Sequence, residues 1–320
     1  MSAEEVGPLL DLEGAIEVTA QALREQAADG VAALAASMLP TRKGMLRIVT
    51  GALLDSRRMG VRFGPAIGYT DRSGVEKMLA ALYDSESGEL LSVMGYPFGT
   101  LRTGAAVGLA ARVLAREDAR VAGMLGTGRN ALGLLRAVCH VRPIEHVRAY
   151  SRDPAHREGF AKRAEAELGR PVEAVANTEA ASREADVLCV ATNSLEPVVR
   201  ADQLSPGVLV ATMGRPSEID PSVYLAANRV VVGNKKQEEN YFDAKSYPHQ
   251  LLRLAQSGKL DWATGVLEMC DIVAGRAPGR TSAEEIIVFK ESQGGFGDVA
   301  FCNHVYEEAR RRGLGREVTL

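Results

Sequence analysis

The stretch MLGTGRNALG, Met124–Gly133, follows the apolar run RVAG, Arg120–Gly123. That run reads as a buried strand and Asn130–His140 (NALGLLRAVCH) as a helix, so Gly126-Thr127-Gly128-Arg129-Asn130-Ala131 fills the turn between them. Glycine-rich turns are common, and a GxGxxG-like match alone carries little weight; a strand before and a helix after are what a dinucleotide fingerprint needs. In that context each position has a task. The first glycine permits the tight turn, the second lets backbone approach a pyrophosphate, and Ala131 allows close helix–strand packing while the helix N-terminus favours the anion. Gly126, Thr127, Gly128, Arg129 and Asn130 are therefore candidate cofactor-binding residues.

Outward from this turn, strand and helix alternate. HVRAYSR (146–152) reads as a strand, PAHREGFAKRAEAELG (154–169) as a helix, VEAVAN (172–177) as a strand, TEAASREA (178–185) as a short helix and DVLCVAT (186–192) as a strand. GVLVATMG (207–214) and RVVVGN (229–234) complete the series. Strands apolar throughout, separated by helices, predict an α/β domain with a doubly wound, Rossmann-type parallel sheet. An acid that would hold the ribose hydroxyls of NAD is expected after the second strand, but Ser151-Arg152 stands there. A hydroxyl and a guanidinium suit a 2′-phosphate, so NADP is favoured, with NAD possible. Asp153 could reach a ribose or serve as N-cap of the helix opened by Pro154. Ligands of such sheets lie outside the carboxyl ends of the strands, which adds Thr192, Asn193, Met213 and Gly214 to the cofactor candidates.

The N-terminal third has a different rhythm. Asp11–Ala28 carries apolar residues at helical spacing; after it MLRIVTGALL (45–54), GVRFG (60–64), KMLAALYD (77–84) and LLSVMG (90–95) read as strands, DSESGEL supplying a hairpin turn. Successive strands without helices between them predict a mostly antiparallel sheet. TGAAVGLAARVLAR (103–116) reads as an alanine-rich helix and the chain closes on the helix DVAFCNHVYEEARRRG (298–313). The expected organisation is a Rossmann NAD(P)-binding domain over 113–290 and a mostly antiparallel α+β domain for substrate binding and dimerisation built from 1–112 and 291–320.

Composition narrows the function classes. The chain has 320 residues, 46% hydrophobic and 25% charged, with a formal net charge of −3. No basic field draws nucleic acid or an anionic membrane, and no apolar run approaches the roughly 20 residues that span a bilayer. Acidic residues stand where a signal peptide needs basic ones, so a cytoplasmic location is expected. The four cysteines form no CxxC pair and the five histidines show no HxxxH or HExxH spacing, so no metal site is expected.

RTGAAVGLAARVLAREDA joined to GMLGTGRNA resembles the ornithine cyclodeaminase and mu-crystallin family, as do ADVLCVATNSLEPVV, LSPGVLVATMG and GRAPGRTSAEEIIVFKESQGGFGDVA. The likeness runs in unbroken order from about Arg47 to Gly315. It implies a two-domain homodimer with an intermolecular sheet. It also implies that Arg102 of LRTGA binds the substrate carboxylate and that Thr103 touches a cofactor phosphate. Independently, Arg102 precedes the alanine-rich helix at the domain junction, and arginine suits bidentate carboxylate contact.

Three departures bear on the chemistry. The family's catalytic lysine in a GVK segment is Arg62 here, in MGVRFG; the aspartate that serves as general base in GGD or GAD is Arg215, in MGRPSEID; and a serine of the FKS segment near the nicotinamide is Glu291. Glu218 matches the family's later acidic position at a helix start. Arg62 and Arg102 thus predict a pocket for a small anionic, carboxylate-bearing substrate, and an arginine cannot act as a neutral base. The expected function is an NAD(P)H-dependent oxidoreductase acting on a C–N bond next to a carboxylate, of the imine or ketimine reductase or amino acid dehydrogenase kind. The alternatives are a cyclodeaminase-type lyase and a mu-crystallin-like protein that holds NADPH and a ligand with little turnover.

Overall fold

The computed structural model describes residues 1–66, 78–240 and 249–318. The chain divides into two compact units, Met1–Ala105 with Gln293–Leu320, and Ala106–Ser292. In chain order the elements are α1 (Ala3–Val6), α2 (Leu12–Ala27), β1 (Val31–Ala33), β2 (Ser37–Pro40), β3 (Met45–Leu53), β4 (Arg58–Ala66), β5 (Leu79–Asp84), β6 (Leu90–Gly95) and α3 (Gly99–Leu114). There follow β7 (Val121–Leu125), α4 (Ala131–Val141), β8 (His146–Tyr150), α5 (Pro154–Leu168), β9 (Val172–Ala174), α6 (Thr178–Ser182), β10 (Val187–Val190), β11 (Leu209–Thr212) and α7 (Pro221–Ala226). The remainder are β12 (Arg229–Val232), α8 (Lys235–Glu239), α9 (Gln250–Gln256), β13 (Val266–Glu268), α10 (Met269–Val273), β14 (Ile287–Lys290) and α11 (Gly295–Arg311). Lys77, first residue of the predicted strand KMLAALYD, lies outside the described residues.

In the first unit, β1-β3-β4-β5-β6 form an antiparallel sheet and β2 also pairs with β3. The helix α11 packs on one face of it. Close approach needs glycines: a Cβ at Gly51 would strike the Gly295 backbone, and one at Gly295 would strike the Thr50 carbonyl. The pairing Val49↔Arg62↔Ala80 therefore puts Arg62 on the helix-covered side, with Phe296, Phe301, Tyr96 and Phe98 buried nearby in sequence-distant layers. Tyr96 and Phe98 meet edge to face, with ring centroids 5.4 Å apart. On the opposite face the register aligns Leu39, Met59, Leu79 and Val93, all exposed.

In the second unit all eight strands are parallel, in the order β13-β12-β14-β11-β10-β7-β8-β9. The sequence direction reverses between β7 and β10, which is the switch point where such sheets bind ligands. Central strands are buried on both faces, as their continuous apolar character requires. Two strands were absent from the sequence reading. One of them, β14, lies between β11 and β12 and carries Lys290 to the carboxyl edge of the sheet.

Candidate functional site

The predicted turn closes β7 as expected. Gly126 has φ +95°, its N–H donates to the Tyr150 carbonyl at 2.9 Å, and a Cβ there would strike the Ala191 carbonyl. Only glycine suits that position. Gly128 is the opposite case: a Cβ would project into open space, leaving a bare stretch of backbone at the start of α4. Ala131 is fully buried, which is the close packing its small side chain allows. Thr127 is buried with its hydroxyl 2.8 Å from His156 Nδ1, and Asn130 reaches Met213 Sδ at 3.6 Å. Arg129 stands exposed beside Gly128.

After β8, Asp153 is the N-cap of α5, accepting from the His156 N–H at 2.7 Å with Pro154 in the first turn. Of the two readings the sequence offers for Asp153, the N-cap is thus present. Ser151 Oγ bonds the Asp153 carbonyl at 3.5 Å, and the Arg157 guanidinium lies over Tyr150 while donating to the Ser151 carbonyl at 3.2 Å. Arg152 is exposed.

Glu218 joins the loops that follow β10 and β11. Its carboxylate accepts from the Thr192 N–H and hydroxyl, each at 2.8 Å, from the Gly214 N–H at 2.8 Å and from the Thr212 hydroxyl at 2.5 Å. The sequence placed it at a helix start; the N-cap of α7 is instead Asp220, and Glu218 turns inward. Burial pushes its carboxyl above the ordinary range, against the pull of the Thr212 and Thr192 bonds and the Lys290 charge. Asn193 is exposed at the loop tip, and Arg215 is half-buried with its N–H 3.4 Å from the Thr192 carbonyl. The N–H of Glu291 bonds the Thr212 carbonyl at 2.8 Å, fixing its backbone at the same sheet edge.

In the first unit a buried carboxylate gathers the two predicted arginines. Asp298, in the first turn of α11, accepts Arg62 Nε at 2.9 Å on one oxygen; the other takes the Tyr96 hydroxyl at 2.5 Å and lies 3.2 Å from Arg102 Nε. Burial would raise its pKa, but the two guanidiniums and the Tyr96 bond outweigh it and hold the carboxyl below its usual value. Burial and the Asp298 charge push the Tyr96 phenol well up. The Arg62 guanidinium sits 5.2 Å from the Tyr96 ring centroid, with Nη1 2.9 Å from Met78 Sδ. Arg102 also approaches Gln293, 3.4 Å from its side-chain oxygen. One buried carboxylate thus brings the two guanidiniums together.

Arg102 lies inside the first turn of α3 rather than before it, its N–H bonding the Phe98 carbonyl at 2.8 Å. The helix starts a turn earlier than its alanine-rich run because buried Phe98 anchors the turn after Pro97. The Thr103 hydroxyl is taken up by the Gly99 carbonyl at 3.0 Å. Tyr96, Gln293, Asp298 and Lys290 were missed from sequence; an acid at the entry of an otherwise apolar helix segment, GGFGDVAF, was the available signal. Among the described residues there is no group of side chains that could hold a metal ion.

The chain is 28% identical over 327 residues to a Delta(1)-pyrroline-2-carboxylate reductase of Bacillus cereus, covering 99% of this chain and 98% of that one. The Delta(1)-pyrroline-2-carboxylate reductase of Thermococcus litoralis, solved in complex with NADH and L-proline, superposes with a TM-score of 0.87 at 27% identity over 99% of both chains. An archaeal alanine dehydrogenase dimer with bound NAD gives a TM-score of 0.85 at 28% identity, covering 100% of this chain and 98% of that one. Residues 1–313 match the model of the ornithine cyclodeaminase/mu-crystallin family, and the chain belongs to that family.

Proposed function

We propose that this protein is an NAD(P)H-dependent oxidoreductase acting on the C–N bond next to a carboxylate, in the direction of imine reduction. The observation that carries the substrate side is the buried Arg62–Asp298–Arg102 cluster, which gathers two guanidiniums, the groups best suited to a carboxylate, at one place. Arg102 is the carboxylate ligand in this reading, and Arg62 holds Asp298 and contributes charge. The second unit fits a dinucleotide: open space above Gly128 and the start of α4 offer the backbone a pyrophosphate needs, and Gly126 keeps the turn tight. Bound there, the nicotinamide supplies the hydride. Thr127, Arg129 and Asn130 line the phosphate turn. Thr192, Asn193, Met213 and Gly214 lie toward the nicotinamide half, with Glu291 at the same edge. Ser151 and Arg152 favour a 2′-phosphate and hence NADP. The four cysteines are free thiols, in keeping with a cytoplasmic enzyme.

Arg62 and Arg215 shape what the site can do with protons. Neither guanidinium accepts a proton at working pH, so removal of a proton from a cationic amine has no base at either position. A substrate that arrives as an imine avoids that step. The same reading favours a homodimer: the apolar sheet face bearing Leu39, Met59, Leu79 and Val93 suits a second copy, in line with the dimeric archaeal alanine dehydrogenase.

The test is a panel of NADPH and NADH oxidations with Delta(1)-pyrroline-2-carboxylate, other cyclic imino acids, and 2-oxo acids with ammonia, beside NAD(P) with ornithine. Consumption with a carboxylated imine and no ammonia from ornithine is the expected pattern. Ornithine turnover at about one per second or faster would establish the lyase. Tight NADPH binding without turnover of any panel member would establish the binding protein.

A further inference from the structure

Four ionisable side chains are buried together in the second unit, and the proposed reduction gives none of them a chemical role. Lys290 ends β14 with its Nζ 3.4 Å from the Gly214 carbonyl and 3.3 Å from that of Glu291. Two buried carboxylates, Glu218 and Glu238, feel its charge. Glu238 is bonded in turn to His249 Nε2 at 2.6 Å and to Ser292. A buried ammonium is tolerated only beside opposite charge, and a buried carboxylate only when its oxygens are bonded. The carboxylates supply the opposite charge for Lys290, their oxygens are bonded by Thr192, Thr212, Gly214 and His249, and the ammonium itself bonds the carbonyls of Gly214 and Glu291.

What the loops that follow β10 and β11 do follows from the sheet order. In a doubly wound sheet the adenosine half of a dinucleotide lies over the first three strands, here β7-β8-β9, and the nicotinamide half lies across the switch point, over β10 and β11. Glu218 ties Thr192 to Gly214 through their N–H groups, and Lys290 takes the Gly214 carbonyl, so Gly214 is held at both its N–H and its carbonyl. We propose that Lys290 is a positioning residue for the nicotinamide half of the cofactor, acting through the Gly214 carbonyl on the Met213–Gly214 loop, which Glu218 in turn ties to Thr192. This rests on the dinucleotide reading of the second unit.

The consequence is an asymmetry that a general packing role does not produce. Lys290→Met is expected to weaken binding of the intact dinucleotide, NADPH or NADH, by about tenfold or more, while leaving its adenosine half (2′,5′-ADP or 5′-ADP) within about twofold. Lys290→Arg keeps the cation and should recover most of the loss. Calorimetric titration of both ligands against wild type and variants reads the split. Unchanged dinucleotide affinity in Lys290→Met, or equal loss of both ligands, overturns the proposal. If Lys290→Met does not fold, the pair Lys290→Met/Glu238→Gln removes one charge of each sign and is judged by the same two affinities. Wild-type protein that binds neither ligand overturns the dinucleotide reading and this inference with it; wild type that binds both, with no split in the variants, overturns this inference alone.

Discussion

Replacing Asp298 by asparagine should destabilise the first unit by an amount its surroundings set. The carboxylate is 4% exposed and Arg62 7% exposed, so the exchange leaves a guanidinium in a low-dielectric site with its partner neutralised. Breaking a buried pair in this way costs about 3–5 kcal/mol. Asparagine is nearly isosteric and its oxygen can still accept the Tyr96 hydroxyl, which places the expected loss at the lower end, about 3 kcal/mol. A change of that size shifts the midpoint of thermal unfolding by roughly 6–12 °C. Arg62→Met/Asp298→Asn removes both charges together, and a methionine fills much of the same volume; it should be more stable than Asp298→Asn, with a coupling energy of about 2 kcal/mol. Urea and thermal unfolding of wild type, both single variants and the pair give the cycle. Asp298→Asn costing less than about 1 kcal/mol, or a pair whose loss equals the sum of the singles, would refute the account of Asp298 as the anion that makes Arg62 tolerable. The pH dependence has a definite sign. The folded carboxyl titrates below its ordinary 3.8, so its contribution is full above that value and is lost as the pH falls through the lower folded value. The gap between wild type and Asp298→Asn should therefore be widest near neutrality and close in strong acid.

Arg152→Ala should weaken NADPH by roughly tenfold and leave NADH nearly unchanged, as titration of both cofactors would show; a wild-type preference for NADH would remove the basis of the NADP assignment. The two glycines of the turn should separate stability from binding. Gly126→Ala, with φ +95° and a carbonyl in the way, should lower stability by about 1–3 kcal/mol. Gly128→Ala should leave the unfolding midpoint unmoved while weakening the dinucleotide about tenfold, and equal behaviour of the two variants would contradict the cradle. Light scattering at micromolar concentration should return twice the 34.2 kDa chain mass, and Val93→Glu or Leu79→Glu should shift it toward the monomer.

The parallel half of this fold was legible because its information is local. Apolar strands, capped helices and the Gly126–Gly128 turn each announce themselves within a few residues, and Asp153-Pro154 marks the start of α5 without any tertiary help. β14 was not legible, since IVFK is too short to show a period and its place between β11 and β12 is decided by strands 78 and 58 residues back along the chain, as the pairings Leu209↔Ile287 and Val230↔Val288 show. The candidate site divides the same way. Arg62 and Arg102 could be singled out by residue type and position. Their common partner Asp298 lies 236 residues from Arg62, on a helix whose sequence gives no sign of which strand it will cover. Glu218 was noticed but assigned, through the family resemblance, to an acidic position at a helix start. Only the fold shows that Asp220 takes the cap and frees Glu218 to turn toward the strand ends.

Asp298 and Glu218 show how the same residue type serves the two units differently. Both are buried acids, and burial alone would raise both. Asp298 faces two guanidiniums, so its ionised form is favoured. Glu218 faces neutral donors and a single ammonium held jointly with Glu238, and burial prevails. Its oxygens are all engaged by loop N–H and hydroxyl groups, so it has no capacity left for a ligand. The first arrangement gathers guanidiniums; the second fixes backbone. Without Asp298, Arg62 would be an isolated buried charge. The pairing is what lets a guanidinium sit buried beside Arg102, and a guanidinium there fits the proposed reduction of a preformed imine, which asks for no base at that position.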